Sequence, residues 1–328
     1  MRFSLFLLFN LLSHFGLAAL APPPPDSLRP TSPDRLLAYT YANDFFFGTD
    51  YYFTQGMTLD WVSPAFARSP INRLLPQGPA CSTRYHGIRL RYDGFTPLRI
   101  ADDFIRVGDR PYAAYLYASL YRISNQPARR QRLTTAVEIG FIGPAAGGKF
   151  VQTKLHELTH NPTPRGWDYQ IRHDAVLGYR ATYEKQLLAA GQWAEAIGTA
   201  EASLSTLYTY ASVGGKLRLG HFTPYFTNLG VAGPASRAGL RRWQCYGEAT
   251  LTGQLVGYDA TLQGGVFNRS SPYTLPSSDV SRTVLHSTCS FVLAREGLSF
   301  TATAMYVGPE FAGGRSHRWG VLGVARAF

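Results

Sequence analysis

The chain has 328 residues, 45% hydrophobic and 14% aromatic, and a formal charge of +11. No apolar run after residue 21 is long enough for a membrane-spanning helix, which leaves a soluble β-protein or a membrane barrel. The positive balance suits an anionic partner, either nucleic acid or a phosphorylated lipid surface, and the three cysteines (Cys81, Cys245, Cys289) lack the C-x-x-C spacing of a metal cluster.

Arg2, the apolar run from Phe3 to Leu17 and the small residues Ala19-Leu20-Ala21 form a charged, apolar and cleavable series, which predicts a signal peptide over 1–21. Export sets nucleic acid aside as a partner. Pro22 to Pro25, Pro30 and Pro33 mark 22–35 as an extended, non-packing linker. No later shift in composition divides 36–328, so it is read as one domain.

That domain alternates with period two. Leu298, Phe300, Ala302, Ala304 and Tyr306 alternate with Ser299, Thr301 and Thr303, and Phe53, Met57, Leu59 and Trp61 oppose Thr54, Thr58 and Asp60. Strands are predicted near 36–46, 52–63, 84–94, 112–122, 131–142, 172–186, 202–213, 222–231, 251–267, 282–293, 298–307 and 317–328, an even number as a bacterial barrel requires. Tyrosines near strand ends and the terminal Phe328 favour a transmembrane antiparallel β-barrel over a soluble sandwich. With both termini periplasmic, the long connections 95–111, 143–171, 268–281 and 308–316 fall outside, while 64–83 is an overlong periplasmic turn. A short helix is predicted in the loop before the sixth strand, with Phe150, Val151, Lys154, Leu155 and Leu158 on one face and Gln152, His156 and Glu157 opposite.

Polar residues that could carry chemistry gather at the outer rim of this topology. Asn43 and Asp44 interrupt an apolar-aromatic run, so Asp44 must face the lumen or leave the sheet, and Thr54 lies across a short loop in the register of Thr58 and Asp60. Asp109 and Arg110 precede the fourth strand, and His156 lies on the loop helix. Each has a bland reading: an Asx turn, a structural ion pair, a solvated histidine. Together they supply a base, a cation site and electrophile stabilisers. No G-x-S-x-G elbow is present, while His156-Glu157-Leu158-Thr159-His160 has the H-E-x-x-H spacing of a zinc hydrolase without an evident third ligand.

Tyr41-Ala42-Asn43-Asp44, Thr54-x-Gly56, Gly108-Asp109-Arg110-Pro111-Tyr112-Ala113, Ile142 to Gly148, Val151-Gln152-x-x-x-His156 and Gly166-Trp167-Asp168-x-Gln170 occur in an order that resembles the outer-membrane lipid A 3'-O-deacylase (LpxR-like) family. The resemblance spans 37–328 and implies a twelve-stranded barrel in the bacterial outer membrane, its active site at the extracellular face. It implies calcium-dependent hydrolysis of a 3'-O-linked acyl ester of lipid A. His156 would activate water, Asn43, Asp44 and Thr54 would be active-site groups, and Asp44 would hold the Ca2+. Arg110 and Arg165 are expected to meet lipid A phosphates, and the chain is expected to act as a monomer. Some family members carry an acidic residue where this chain has Pro162, which leaves Glu157 or Asp168 as a stand-in ligand. The competing readings are a non-enzymatic pore or scaffold, an outer-membrane phospholipase, and a zinc esterase built on His156 and His160.

Overall fold

Alternation sorts the strand side chains onto two faces, and twelve antiparallel strands close into one barrel with the last bonded to the first. The strands are β1 (Leu36–Asn43), β2 (Tyr52–Val62), β3 (Thr83–Thr96), β4 (Ala113–Gln126), β5 (Gln131–Ile142), β6 (Asp174–Ala190), β7 (Ala194–Ser205), β8 (Tyr208–His221), β9 (Trp243–Asp259), β10 (Thr283–Arg295), β11 (Leu298–Val307) and β12 (His317–Ala327). The computed structural model describes residues 31–49, 51–78, 82–233 and 243–328. The signal peptide read at 1–21, most of the 22–35 linker and Cys81 lie outside the described residues. Cys245 and Cys289 are unbridged and exposed.

The outer face carries exposed apolar side chains such as Leu59, Trp61, Ile139, Leu251 and Phe300. The inner face is ionic. Arg89 pairs with Asp60 at 2.9 Å, Arg91 with Asp93 at 2.8 Å, Arg180 with Glu138 at 3.0 Å, and Lys216 with Glu184 at 3.4 Å. Charges taken out of water must be paired in this way, and the pairs line and narrow the lumen that a pore would need. Among the described residues lie cavities of about 240 and 370 Å³, with Tyr117 and Arg180 shared between their walls.

Three of the expected strands were misplaced. Those read at 202–213, 222–231 and 251–267 are β7, β8 and β9, with β8 ending at His221. Residues 222–231 are apolar for another reason: they fold into the lumen at the end that holds the termini. There Val231 packs in a cluster with Leu36, Val62, Tyr85 and Tyr121, and Arg132 donates to the carbonyls of Tyr225 (2.9 Å) and Asn228 (2.8 Å). The overlong turn after β2 lies instead against the outer wall, where Asn72 meets His86 at 3.0 Å and Arg122 donates to the carbonyl of Leu75 at 3.0 Å.

The loop helix forms as expected, as α1 (Gly148–Thr159), and it is the polar face that is turned toward the protein. Gly148, Gln152 and His156 are buried, while Phe150 is 67% and Leu158 79% exposed. The helix rests on the outer wall: Gly148 and Val151 pack with Ala114 and Leu116 of β4, Phe141 of β5, Tyr92 of β3 and Trp167. A helix in this position buries its polar stripe against the protein and turns its apolar stripe outward, the reverse of a helix over an aqueous surface.

Candidate functional site

β2 brings the first functional side chain out of the lumen. Its pairing with β3 slips between Phe53 and Gln55, leaving Thr54 as the extra residue of a bulge. The alternation read from sequence placed Phe53 with the outward residues and Thr54 with the inward ones. The bulge exchanges them. Phe53 turns inward and stacks on Trp319 with ring centroids 4.4 Å apart, whereas Thr54 turns outward toward α1. Just before the bulge Tyr52 takes φ +68°, a left-handed conformation that is strained for an aromatic residue and is held by the packing of its buried ring.

Asn43 ends β1 and caps a single turn of 3-10 helix over Asp44–Phe47. Its Oδ1 accepts from the Phe45 amide at 2.9 Å and its Nδ2 donates to the Tyr41 hydroxyl at 3.1 Å. The expected Asx turn is therefore present, and it sets the position of Asp44. That carboxylate is buried and its Oδ2 accepts from the Tyr51 amide at 3.2 Å. Asp44 leaves the sheet rather than entering the lumen.

α1 supplies the facing wall. The Gln152 amide donates to Thr54 Oγ1 at 3.2 Å, and its own oxygen accepts from Trp167 Nε1 at 2.7 Å. Gln152 is fully buried, so this chain fixes the Thr54 rotamer. Gln152 was missed as a site residue, although its place one turn before His156 was a usable signal. His156 lies next on the same face, and its Nδ1 is 2.7 Å from the carbonyl of Pro162. A carbonyl only accepts, so Nδ1 carries the ring proton and the lone pair is on Nε2. Asn43, Asp44, Thr54 and His156 line one cleft of about 490 Å³, with Tyr41, Phe45, Leu155 and Asn161 completing it. The cleft lies between α1 and the outside of the barrel wall.

Other expected residues are placed elsewhere. Arg110 is wholly buried, donating to Glu310 at 2.6 Å and Thr261 at 2.7 Å with its guanidinium 4.2 Å from the Phe95 ring centroid, so it cannot reach a substrate phosphate. Asp109 pins its own loop by accepting from the Leu98 amide at 2.9 Å. Arg165 is exposed, outside the lining of the cleft. Glu157 and Asp168 are exposed and pair with Lys154 and Lys149, both at 2.7 Å, on the other side of α1. Neither stands in as a ligand at Asp44. His160 ends α1 in a left-handed conformation and is exposed, which removes it from the His156 face and leaves the zinc reading without its second ligand. Among the described residues no three of His, Cys, Asp and Glu are grouped to hold a metal.

Comparison with known proteins bears on this arrangement. No curated protein sequence matches the chain. Among solved structures, LpxR from Salmonella typhimurium superposes with a TM-score of 0.71 at 19% identity, covering 89% of this chain and 99% of that one. The β-domain of the Bordetella autotransporter BrkA is similar at 11% identity and a TM-score of 0.44, covering 90% of this chain and 99% of that one. The sequence profile of the family described as "Outer membrane protein LpxR" matches residues 5–328. This barrel, with its cleft on the outside of the wall, belongs to the LpxR family of outer-membrane proteins.

Proposed function

We propose that the chain is an outer-membrane lipid A deacylase that hydrolyses a 3'-O-linked acyl ester with water activated by His156. The observation that carries this reading is the orientation of the helix: a histidine and three oxygen-bearing side chains are sheltered in a cleft that opens sideways from the barrel wall, not into its lumen. An ester in the outer leaflet lies beside such a wall.

His156 holds its proton on Nδ1 against the Pro162 carbonyl, so Nε2 is the base that takes a proton from water. A backbone carbonyl, that of Pro162, thus fixes the tautomer. Attack of the hydroxide on the ester carbonyl places negative charge on its oxygen. Thr54 Oγ1 already accepts from Gln152, which leaves its own hydrogen to donate to that oxyanion. When the carbon–oxygen bond to the sugar breaks, His156 returns the proton to the sugar oxygen, giving a fatty acid and a free hydroxyl. Asp44 is the one carboxylate of the cleft, beside the side-chain oxygens of Asn43 and Thr54, and these would hold a hard cation such as Ca2+ completed by water and carbonyl oxygens. Bound there, it would supply positive charge beside the ester carbonyl.

The test is mass spectrometry of lipid A from cells expressing the protein. Wild type should remove one acyl chain, and His156→Ala should lower the rate by about a hundredfold or more while the barrel still folds. A calcium-selective chelator should stop the wild-type reaction. Full activity in His156→Ala would rule out this mechanism.

A further inference from the structure

The cleft is flanked on two sides. On one side Phe46 lies against β12, where a Cβ added at Gly320 would come within 2.8 Å of it. On the other, α1 and Trp167 cover the outer face of β3, β4 and β5. Between them the outer face of β1 and β2 runs from the site down the wall. The pairing of these strands makes that face a ladder. Asn43 is opposite Gln55 at the top, followed by Tyr41 opposite Met57, Tyr39 opposite Leu59, and Leu37 opposite Trp61. The first rung is polar and the three below are apolar, with Tyr39, Leu59, Leu37 and Trp61 each more than a third exposed.

From the proposed deacylase reading, on which this inference rests, we infer that the acyl chain to be released lies along this ladder, and that the enzyme selects chain length there. The dimensions agree. Three two-residue steps at about 3.3 Å per residue give roughly 20 Å of strand. Tilted by about 40°, they descend about 15 Å, half of a hydrocarbon core about 30 Å thick. A chain whose ester carbonyl is held beside Thr54 and His156 thus has one leaflet's depth of apolar wall directly below it. Phe45 lines the cleft at the head of this path, its ring centroid 4.2 Å from that of Phe46.

The experiment compares Met57→Trp with wild type on two lipid A preparations, one with a short and one with a long acyl chain at the scissile position, in the same detergent micelles. Bulk at the first apolar rung should lower the long-chain to short-chain ratio of kcat/KM by about tenfold, the scale on which apolar pockets discriminate chain length. Leu251→Trp places equal bulk on the outer face of β9 and should leave the ratio unchanged. Leu59→Trp, one rung lower, should shift the ratio less, and it replaces Met57→Trp if that variant does not fold by heat-modifiable gel migration. An unchanged ratio, or an equal shift in Leu251→Trp, would mean that these side chains meet only bulk lipid, and would overturn the inference while leaving the deacylase reading intact. Absence of turnover by wild type on both preparations would instead refute the deacylase reading itself.

Discussion

Thr54 shows how little backbone irregularity is needed to move a functional group across a membrane wall. In strict alternation its hydroxyl would sit in the lumen with Thr58 and Asp60; one extra residue in β2 places it against Gln152 on the outside. Thr54→Val keeps the shape and removes the hydrogen that, in the proposed mechanism, would face the developing oxyanion. The expected outcome is a fall in kcat of about a hundredfold with little change in KM, read from steady-state kinetics. Equal losses in Thr54→Val and Thr54→Ser would show that shape, not the hydroxyl, matters at this position. The tautomer of His156 is likewise a single-residue matter, because a backbone carbonyl cannot be mutated away while the turn that presents it can.

At the scale of elements, the loops above the strands are held together by one buried ion pair. Arg110 precedes β4, Glu310 lies between β11 and β12, and Thr261 follows β9, so their bonds tie three connections over the lumen. Burial pushes the Glu310 carboxyl up, but Arg110, His317 and His286 outweigh it and hold the group below its ordinary range. A depressed folded-state value means that the pair stabilises the cap above the unfolded value, near 4.3 for glutamate, and that this contribution is lost as pH falls through the lower folded value. Glu310→Gln should therefore destabilise the cap by about 3 kcal/mol near neutral pH, and the wild-type advantage should vanish in strong acid. Thermal unfolding of the two proteins across pH measures the difference; a gap that persists at the acid end would show that charge is not its source. Elements also mark where sequence was legible. Phe300 and Trp61 follow their alternation out to the exposed face, and the loop before β6 holds its helix. β7 was obscured because Ala194–Ser205 is built of small residues with weak contrast between faces, and the lumen plug at 222–231 imitated a strand because its apolar side chains answer to packing inside the barrel. Which face of the helix is buried was not legible, because periodicity finds an apolar stripe without saying which solvent it meets.

For the whole molecule, the barrel is a wall rather than a conduit. Pairs such as Arg180 with Glu138 line the interior, the segment after β8 fills one end, and the tied loops cover the other. Reconstituted in a planar bilayer, the protein should carry no measurable steady ion current; a stable open conductance would favour the pore reading. Closure of the lumen and exposure of the cleft belong together, since a rigid filled interior gives α1 and the bulged strand a fixed surface on which to align.

The sideways opening of the cleft also sets how the protein finds its partner. A lipid that never leaves its leaflet reaches the site by lateral diffusion, so the encounter takes place in two dimensions. Turnover should then follow the surface density of substrate, its mole fraction among the lipids or detergent around the barrel, and not its concentration in the tube. Diluting substrate with inert amphiphile at constant bulk concentration should slow the reaction, whereas diluting the whole suspension with buffer should not.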